Sequence, residues 1–225
     1  MEKLACYESF IDRVEELGFM VFSKILPEWT SLSDETTEEQ WHTGEIGTDP
    51  WQWKDRAAQE KKLAFGCILN GHKGFVSKNW YPVFYAAYHP AASMEERWEA
   101  GEINQNVLKV WQLFSDATSL STDEIRYRLN VTKKHGAGSV DTALKTLQKE
   151  YHITVSGNRR KLNSRGEPYG WPANTYERVI DWAPPDWLKP GKPMKQAEAR
   201  KKILEAVCDQ CNFPDIKRIS KALGF

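Results

Sequence analysis

Apolar residues recur at helical spacing from the start of the chain. Leu4, Tyr7, Phe10, Ile11, Val14 and Leu17 share one face, and Gly18 is placed to stop the helix they predict. A loop with Pro27 and a Ser/Thr/Asp/Glu-rich stretch follows, with a short helix expected over 36–41. Asp49-Pro50 has the form of an N-cap followed by proline at the first helical position. It opens a predicted helix through Trp51, Trp53, Arg56 and Gln59. Residues 61–70 and 74–77 flank Asn70-Gly71-His72-Lys73-Gly74, a β-hairpin signal whose glycines suit positive φ. Aromatic-rich helices are expected over 80–88 and 93–100.

The second half repeats that order. Ile103, Val107, Val110, Trp111 and Phe114 mark a helix, and Ser121 with Glu124 forms a capping box for a short one through Leu129. Ser139 reads as the cap of another helix, with Val140, Ala143, Leu144, Leu147 and Tyr151 on its apolar face. Residues 152–156 alternate as a strand and 176–182 as its partner, separated by a long loop over 157–174. Three helices followed by a hairpin with a basic tip is the order of a winged helix. Pro184, Pro185, Pro190 and Pro193 form a linker, after which 195–209 and 214–223 read as two helices of a third, shortened unit.

The predicted fold is therefore α+β and mainly helical, built of tandem winged-helix (helix-turn-helix) units with short β-hairpin wings. The first unit covers 1–100 with its hairpin at about 61–77, and the second covers 101–183 with a basic wing. A Pro-rich linker over 184–194 leads to a partial third helix-turn-helix over 195–225.

Composition changes this picture in two places. The 225 residues balance 31 basic against 31 acidic side chains, but unevenly. Residues 1–50 hold three basic and twelve acidic residues, net −9, whereas the remainder holds 28 and 19, net +9. A basic majority beside an acidic segment points to a nucleic-acid partner, or to a solvated acidic stretch that aids solubility. Ten tryptophans are the other departure from ordinary usage. Cys6, Cys67, Cys208 and Cys211 make no disulfide framework, no apolar run spans a membrane, and Met1-Glu2-Lys3 opens no secretion signal. A reduced, cytoplasmic setting without membrane attachment is expected.

The candidate chemistry is cationic and aromatic. Arg159, Arg160, Lys161 and Arg165 sit in the wing loop, Lys133 and Lys134 just before the third helix, and Lys145 on it. Cations on those two elements neutralise phosphates in a winged helix and make affinity salt-dependent. Trp51 and Trp53 lie among Lys54 and Arg56, where aromatic and cationic groups suit base stacking and phosphate contact, although the spacing equally suits a small core. Cys208-x-x-Cys211 has a metal or redox spacing without two further ligands, and reads as a structural thiol pair. No metal site, cofactor, phosphate loop or nucleophile elbow is indicated.

Asp49-Pro50-Trp51-Gln52-Trp53-Lys54, Gly74-Phe75-Val76-Ser77, Trp80-Tyr81-Pro82, Leu147-Gln148 and Gly166-Glu167-Pro168-Tyr169-Gly170-Trp171 together resemble the AlkZ-related proteins. These are short, mostly bacterial relatives of the AlkZ (YcaQ-like) DNA glycosylases, in the winged-helix superfamily labelled HTH-42. The resemblance covers about 3–185. It implies winged-helix units around a concave basic surface, double-stranded DNA as partner, and a pocket drawing on Asp49, Trp51, Trp53, Lys54 and Trp80. It also implies a water-activating Gln-x-Asp or Gln-x-Gln motif shortly after the first helix. The stretch in that position, Leu17-Gly18-Phe19-Met20-Val21-Phe22-Ser23, contains neither glutamine nor carboxylate.

The reading that follows is a DNA-binding protein without the glycosidic chemistry, recognising altered duplex, with no catalytic residue assigned. Two alternatives stand beside it. One is an active DNA glycosylase whose water-activating carboxylate has moved to Asp49, Asp55 or Glu60. The other is a protein-interaction module that has lost DNA binding and uses its acidic residues 34–45.

Overall fold

The computed structural model describes residues 3–132, 135–163, 165–188 and 194–225. Helix α1 (Tyr7–Leu17) buries Tyr7, Phe10 and Val14 along one stripe. It ends where Gly18, at φ 86°, returns its N–H to the Val14 carbonyl. A Cβ at Gly18 would lie 2.1 Å from the Trp80 indole, so glycine is demanded there by space as well as by backbone. Strand β1 (Phe19–Val21), helix α2 (Leu32–Glu35) and helix α3 (Pro50–Gln59) follow, then the hairpin of β2 (Leu63–Leu69) and β3 (His72–Ser77). The expected helix over 36–41 is a single 3-10 turn at Glu38–Gln40.

Helices α4 (Tyr81–Tyr88) and α5 (Met94–Glu99) lead into the second half. There α6 (Gln105–Gln112), β4 (Ser119–Ser121), α7 (Thr122–Arg128), α8 (Ala137–Lys149), β5 (Ile153–Arg159) and β6 (Ala173–Arg178) succeed one another. Ser121 and Glu124 form the expected capping box. Ser139 does not cap α8: Gly136, at φ 86°, enters the helix, and Ser139 lies within its first turn. The strand expected over 176–182 begins earlier and stops at Arg178. Beyond that residue Val179 donates its N–H to His152 O, and α9 (Val179–Trp182) turns away. Helices α10 (Pro185–Leu188), α11 (Gln196–Gln210) and α12 (Ile216–Leu223) complete the chain.

The two hairpins form one antiparallel sheet of order β1-β3-β2-β5-β6-β4. Each half contributes a short outer strand that pairs with the second strand of its own hairpin, β1 with β3 and β4 with β6. The halves meet where β2 pairs with β5 at Phe65 and Val155. Both inner strands carry a glycine at an irregularity in pairing, Gly66 at φ 152° and Gly157 at φ 153°. Each lies beneath a glutamine from the opposite half: a Cβ on Gly66 would meet Gln148 Oε1 at 2.7 Å, and one on Gly157 would touch Gln59. Helix α3 accordingly packs on β5, and α8 on β2.

Alternation along the first-half strands sends side chains into two cores. Met20, Phe65 and Phe75 face a core shared with α1, α3, α6 and α8. Phe19, Val21, Ala64 and Val76 face another shared with Trp29, Tyr81, Phe84, Trp182, Trp187, α11 and α12. Each fully buried aromatic of this kind stabilises the fold by about 1.5–3 kcal/mol. The C-terminal pair of helices thus covers the sheet's second face rather than standing apart.

Candidate nucleic-acid interface

Asp49 fixes the geometry of the site from below. It is fully buried, and its Oδ1 accepts N–H groups from Trp51 at 2.8 Å and His42 at 3.1 Å. Its Oδ2 accepts the Gly44 N–H at 3.0 Å. The carboxylate therefore caps α3 and ties loop 42–48 to it, with Pro50 starting the helix. Trp53 points inward, stacks on Phe10 at 5.4 Å and donates to Gly47 O. Trp80 packs on Phe19 at the sheet's other face, with Lys202 over its ring. These two tryptophans belong to the cores and do not join Trp51.

Trp51 stands half-buried at the rim. His42 lies 4.9 Å from it and Trp171 5.7 Å, centroid to centroid, and Trp171 is 61% exposed. Lys54 places its ammonium 4.6 Å from the Trp51 ring centroid and 5.7 Å from that of Phe65. The same ammonium lies 2.6 Å from Asp55 Oδ2, and Asn158 Nδ2 donates to that oxygen at 2.7 Å. Burial pulls Lys54 below the ordinary lysine pKa, and the Asp55 carboxylate opposes that fall. Asp55 Oδ1 is buried without a hydrogen-bond partner among the described residues. Of the three carboxylates considered from sequence, Asp49 is consumed as a cap and Glu60 binds Arg56 and the Tyr7 hydroxyl; Asp55 retains this unpaired oxygen.

A groove runs along the junction of the two halves. One hollow of about 250 Å³ is lined by Trp51, Lys54, Phe65, Lys73, Arg126, Lys161 and Asn174, among others. A second, of about 260 Å³, shares Phe65, Lys73 and Asn174 with it and extends to Cys67, Lys145 and Gln148. Lys73 and Lys145 are exposed, with no ion-pair partner among the described residues. Arg160 and Arg165 are likewise exposed. Arg159 is held by Glu124, Lys161 by Asp123 at 3.2 Å, and Arg126 by Asp141 at 2.7 Å, so these three cations are internally neutralised. Lys133 and Lys134 lie outside the described residues. The sequence pattern does not mark Lys73, Arg126, His42 or Trp171 as site residues. Trp171 stands in one of the family strings, whereas the hairpin signal places Lys73 in a turn and the structure puts it on β3, lining the groove.

The acidic stretch is partly spent on structure. Glu35 is buried against Arg13, and Asp34 accepts from the Ser31 hydroxyl and N–H and pairs with Lys24. Glu38, Glu39 and Glu45 remain at the surface.

The AlkZ-related family model matches residues 4–224. This chain belongs to the AlkZ-related family. The strings that carried the resemblance are therefore brought together in a family member, Asp49–Lys54 as the capped start of α3 and Trp171 as the aromatic that leans on it. Among solved structures the chain is similar to Streptomyces sahachiroi DNA glycosylase AlkZ, at 13% identity and a TM-score of 0.48. The match covers 99% of this AlkZ-related chain and 60% of that one. No curated protein matches it. Among its described residues no helix is long and apolar enough to cross a membrane, and no three His, Cys, Asp or Glu side chains are grouped to hold a metal. Cys208 and Cys211 sit half-buried at the end of α11.

Proposed function

We propose that this AlkZ-related protein binds double-stranded DNA along the groove between its halves and recognises altered duplex, without the glycosylases' Gln-x-Asp or Gln-x-Gln motif. The observation that carries the reading is that Lys145, Lys73 and Trp51 line two adjoining hollows that share Phe65, Lys73 and Asn174, with Trp171 packed on Trp51. Exposed cations supply phosphate contacts, and the indoles at the rim, half-buried Trp51 and exposed Trp171, supply stacking surfaces for bases displaced from a distorted duplex.

Winged-helix architecture is part of the proposal. In each half the order helix, short strand, helix, helix, strand, strand recurs, with the short strand pairing the last. That order supports units over 1–100 and 101–183, a linker over 184–194 and a partial helix-turn-helix over 195–225. In this reading α3 and α8 are the third helices, and residues 160–172 form the wing that bears Arg160 and Arg165. Met20, fully buried on β1, and Phe22, packed on Trp51 and Phe65, stand in the stretch that the resemblance sets against the polar motif. Neither side chain can orient or deprotonate water.

Fluorescence anisotropy with a labelled duplex tests the reading. Binding that weakens steeply between about 50 and 200 mM salt is expected. Indifference to duplex at the lower salt would sink it.

The unpaired Oδ1 of Asp55 favours a second reading, a glycosylase with a relocated carboxylate. Alkali-sensitive sites appearing in methylated duplex after incubation, and absent with Asp55→Asn, would establish that reading.

A further inference from the structure

Lys54 differs from the other lysines of the groove. Lys73 and Lys145 stand in solvent, as phosphate-binding lysines do, and Lys161 is tied to Asp123. The Lys54 side chain is only 7% accessible, yet it lines the 250 Å³ hollow. Its nitrogen is enclosed by the Trp51 and Phe65 rings and lies 2.6 Å from a carboxylate oxygen. The same two rings also pack on Phe22. A desolvated amine with a proton acceptor in contact is the arrangement of a carbonyl-condensing lysine. It is a poor arrangement for a phosphate contact, because the charge is already neutralised and turned away from water.

We propose that Lys54 is a nucleophile that condenses with the aldehyde of a ring-opened abasic deoxyribose in duplex DNA. This rests on the DNA-binding reading above and names the altered duplex: one that has lost a base, leaving the Trp51–Trp171 pair to stack into the gap. The ammonium first passes a proton to Asp55 Oδ2. The neutral amine then attacks C1′, forming the C–N bond as the carbonyl electron pair moves to oxygen. Asp55 returns its proton to that oxygen, and one of the nitrogen's two protons then passes to the resulting hydroxyl, which leaves as water. The products are the protonated imine and one water, with Asp55 again a carboxylate and no oxidant or reductant consumed. Hydrolysis reverses the step, so without a trap the adduct is transient.

Borohydride reduction of the imine to a secondary amine makes the adduct permanent and tests the proposal. The full-length protein is incubated with a duplex bearing one abasic site, reduced, resolved under denaturing conditions and mapped by peptide mass spectrometry. Anisotropy with the same duplex and its intact counterpart is measured in parallel. A covalent complex mapped to Lys54, and lost in Lys54→Arg, is the expected result. Mapping on the unaltered protein needs no variant, so the result stands even if Lys54→Arg folds poorly. Adducts on Lys73, Lys145 or Lys161 instead would overturn the assignment. Duplex binding without any adduct would overturn this inference alone, and absence of both would overturn the DNA-binding reading with it.

Discussion

Gln148 on α8 accepts the Cys67 N–H of β2 through its Oε1 at 3.0 Å, across 81 residues of sequence. Its Nε2 returns to the Leu144 carbonyl, and the side chain is almost wholly buried. Gly66 leaves the space in which this amide sits. Gln148→Ala strands the Cys67 N–H in the interior at a cost of about 1–3 kcal/mol. Urea denaturation should show that loss as a lower midpoint with an unchanged slope.

Asp49 serves three N–H groups at once, so its removal should exceed an ordinary cap deletion. Asp49→Ala is expected to cost about 2 kcal/mol or more. Asp49→Asn, which keeps one acceptor oxygen, should cost less. Both belong in one thermal-melt series, and duplex affinity should fall with the alanine variant as Trp51 loses its seat.

Affinity for duplex should respond unequally to the cations. Lys73→Gln and Lys145→Gln should each weaken binding across all sequences and lower the salt slope by about 1. Arg159→Gln should do less, since Glu124 already holds that guanidinium. Salt titrations of the three single variants separate these outcomes.

Trp171 is tested by its contrast with Trp53. Trp171→Ala should leave stability within about 0.5 kcal/mol, because the side chain is largely exposed. It should weaken binding to a duplex with an unpaired or missing base by about 1–3 kcal/mol. Trp53→Ala, at a fully buried position, should lower stability by about 3–5 kcal/mol. Calorimetry and anisotropy on the two variants give opposite rankings if the placements are right.

His152 makes stability depend on pH. Burial, then the neighbouring His89 and Arg97, push its pKa down to about 3, and its Nε2 has no hydrogen-bond partner. Glu150 lies 3.7 Å away, too far to hydrogen-bond that nitrogen, and the neutral ring forms no ion pair with it. The unfolded chain takes up the proton near the ordinary histidine value of about 6.5, whereas the folded one does not. The contribution is therefore complete above about 6.5 and is lost as pH falls from there to about 3, at up to about 1.4 kcal/mol per pH unit. Urea midpoints at pH 7 and 5 should differ more for the unaltered protein than for His152→Phe, the remaining difference coming from His89 and His72, whose pKa values burial also lowers.

Local chemistry accounts for what was legible beforehand. Asp49-Pro50, Ser121 with Glu124, Gly18 and Asn70-Gly71 each act within a few residues of themselves; the first three set their elements where the spacing places them, and Asn70-Gly71 marks a turn that is tighter than expected, with β3 starting at His72. Ser139 misled because Gly136 could open the helix earlier through a left-handed φ. The junction of β2 with β5 was not legible, since it pairs Phe65 with Val155 and no local signal spans that distance. Trp51 and Trp53 have the same composition on either side of Gln52, and only the packing of Phe10 decides which turns inward. The groove's electrostatics were half legible: the positive residues could be counted, but not the carboxylates of α7 and α8 that hold three of them.

The sheet's outermost strands, β1 and β4, are three residues long, while the seven-residue strands β2 and β5 lie side by side at its centre, paired at Phe65 and Val155. Long edges with unpaired N–H and carbonyl groups recruit foreign strands, and short ones do not. The intact protein is therefore protected against edge-to-edge aggregation. A chain severed near residue 100 would bare one long edge on each fragment, and the fragments' readiest way back to solubility would be to find one another.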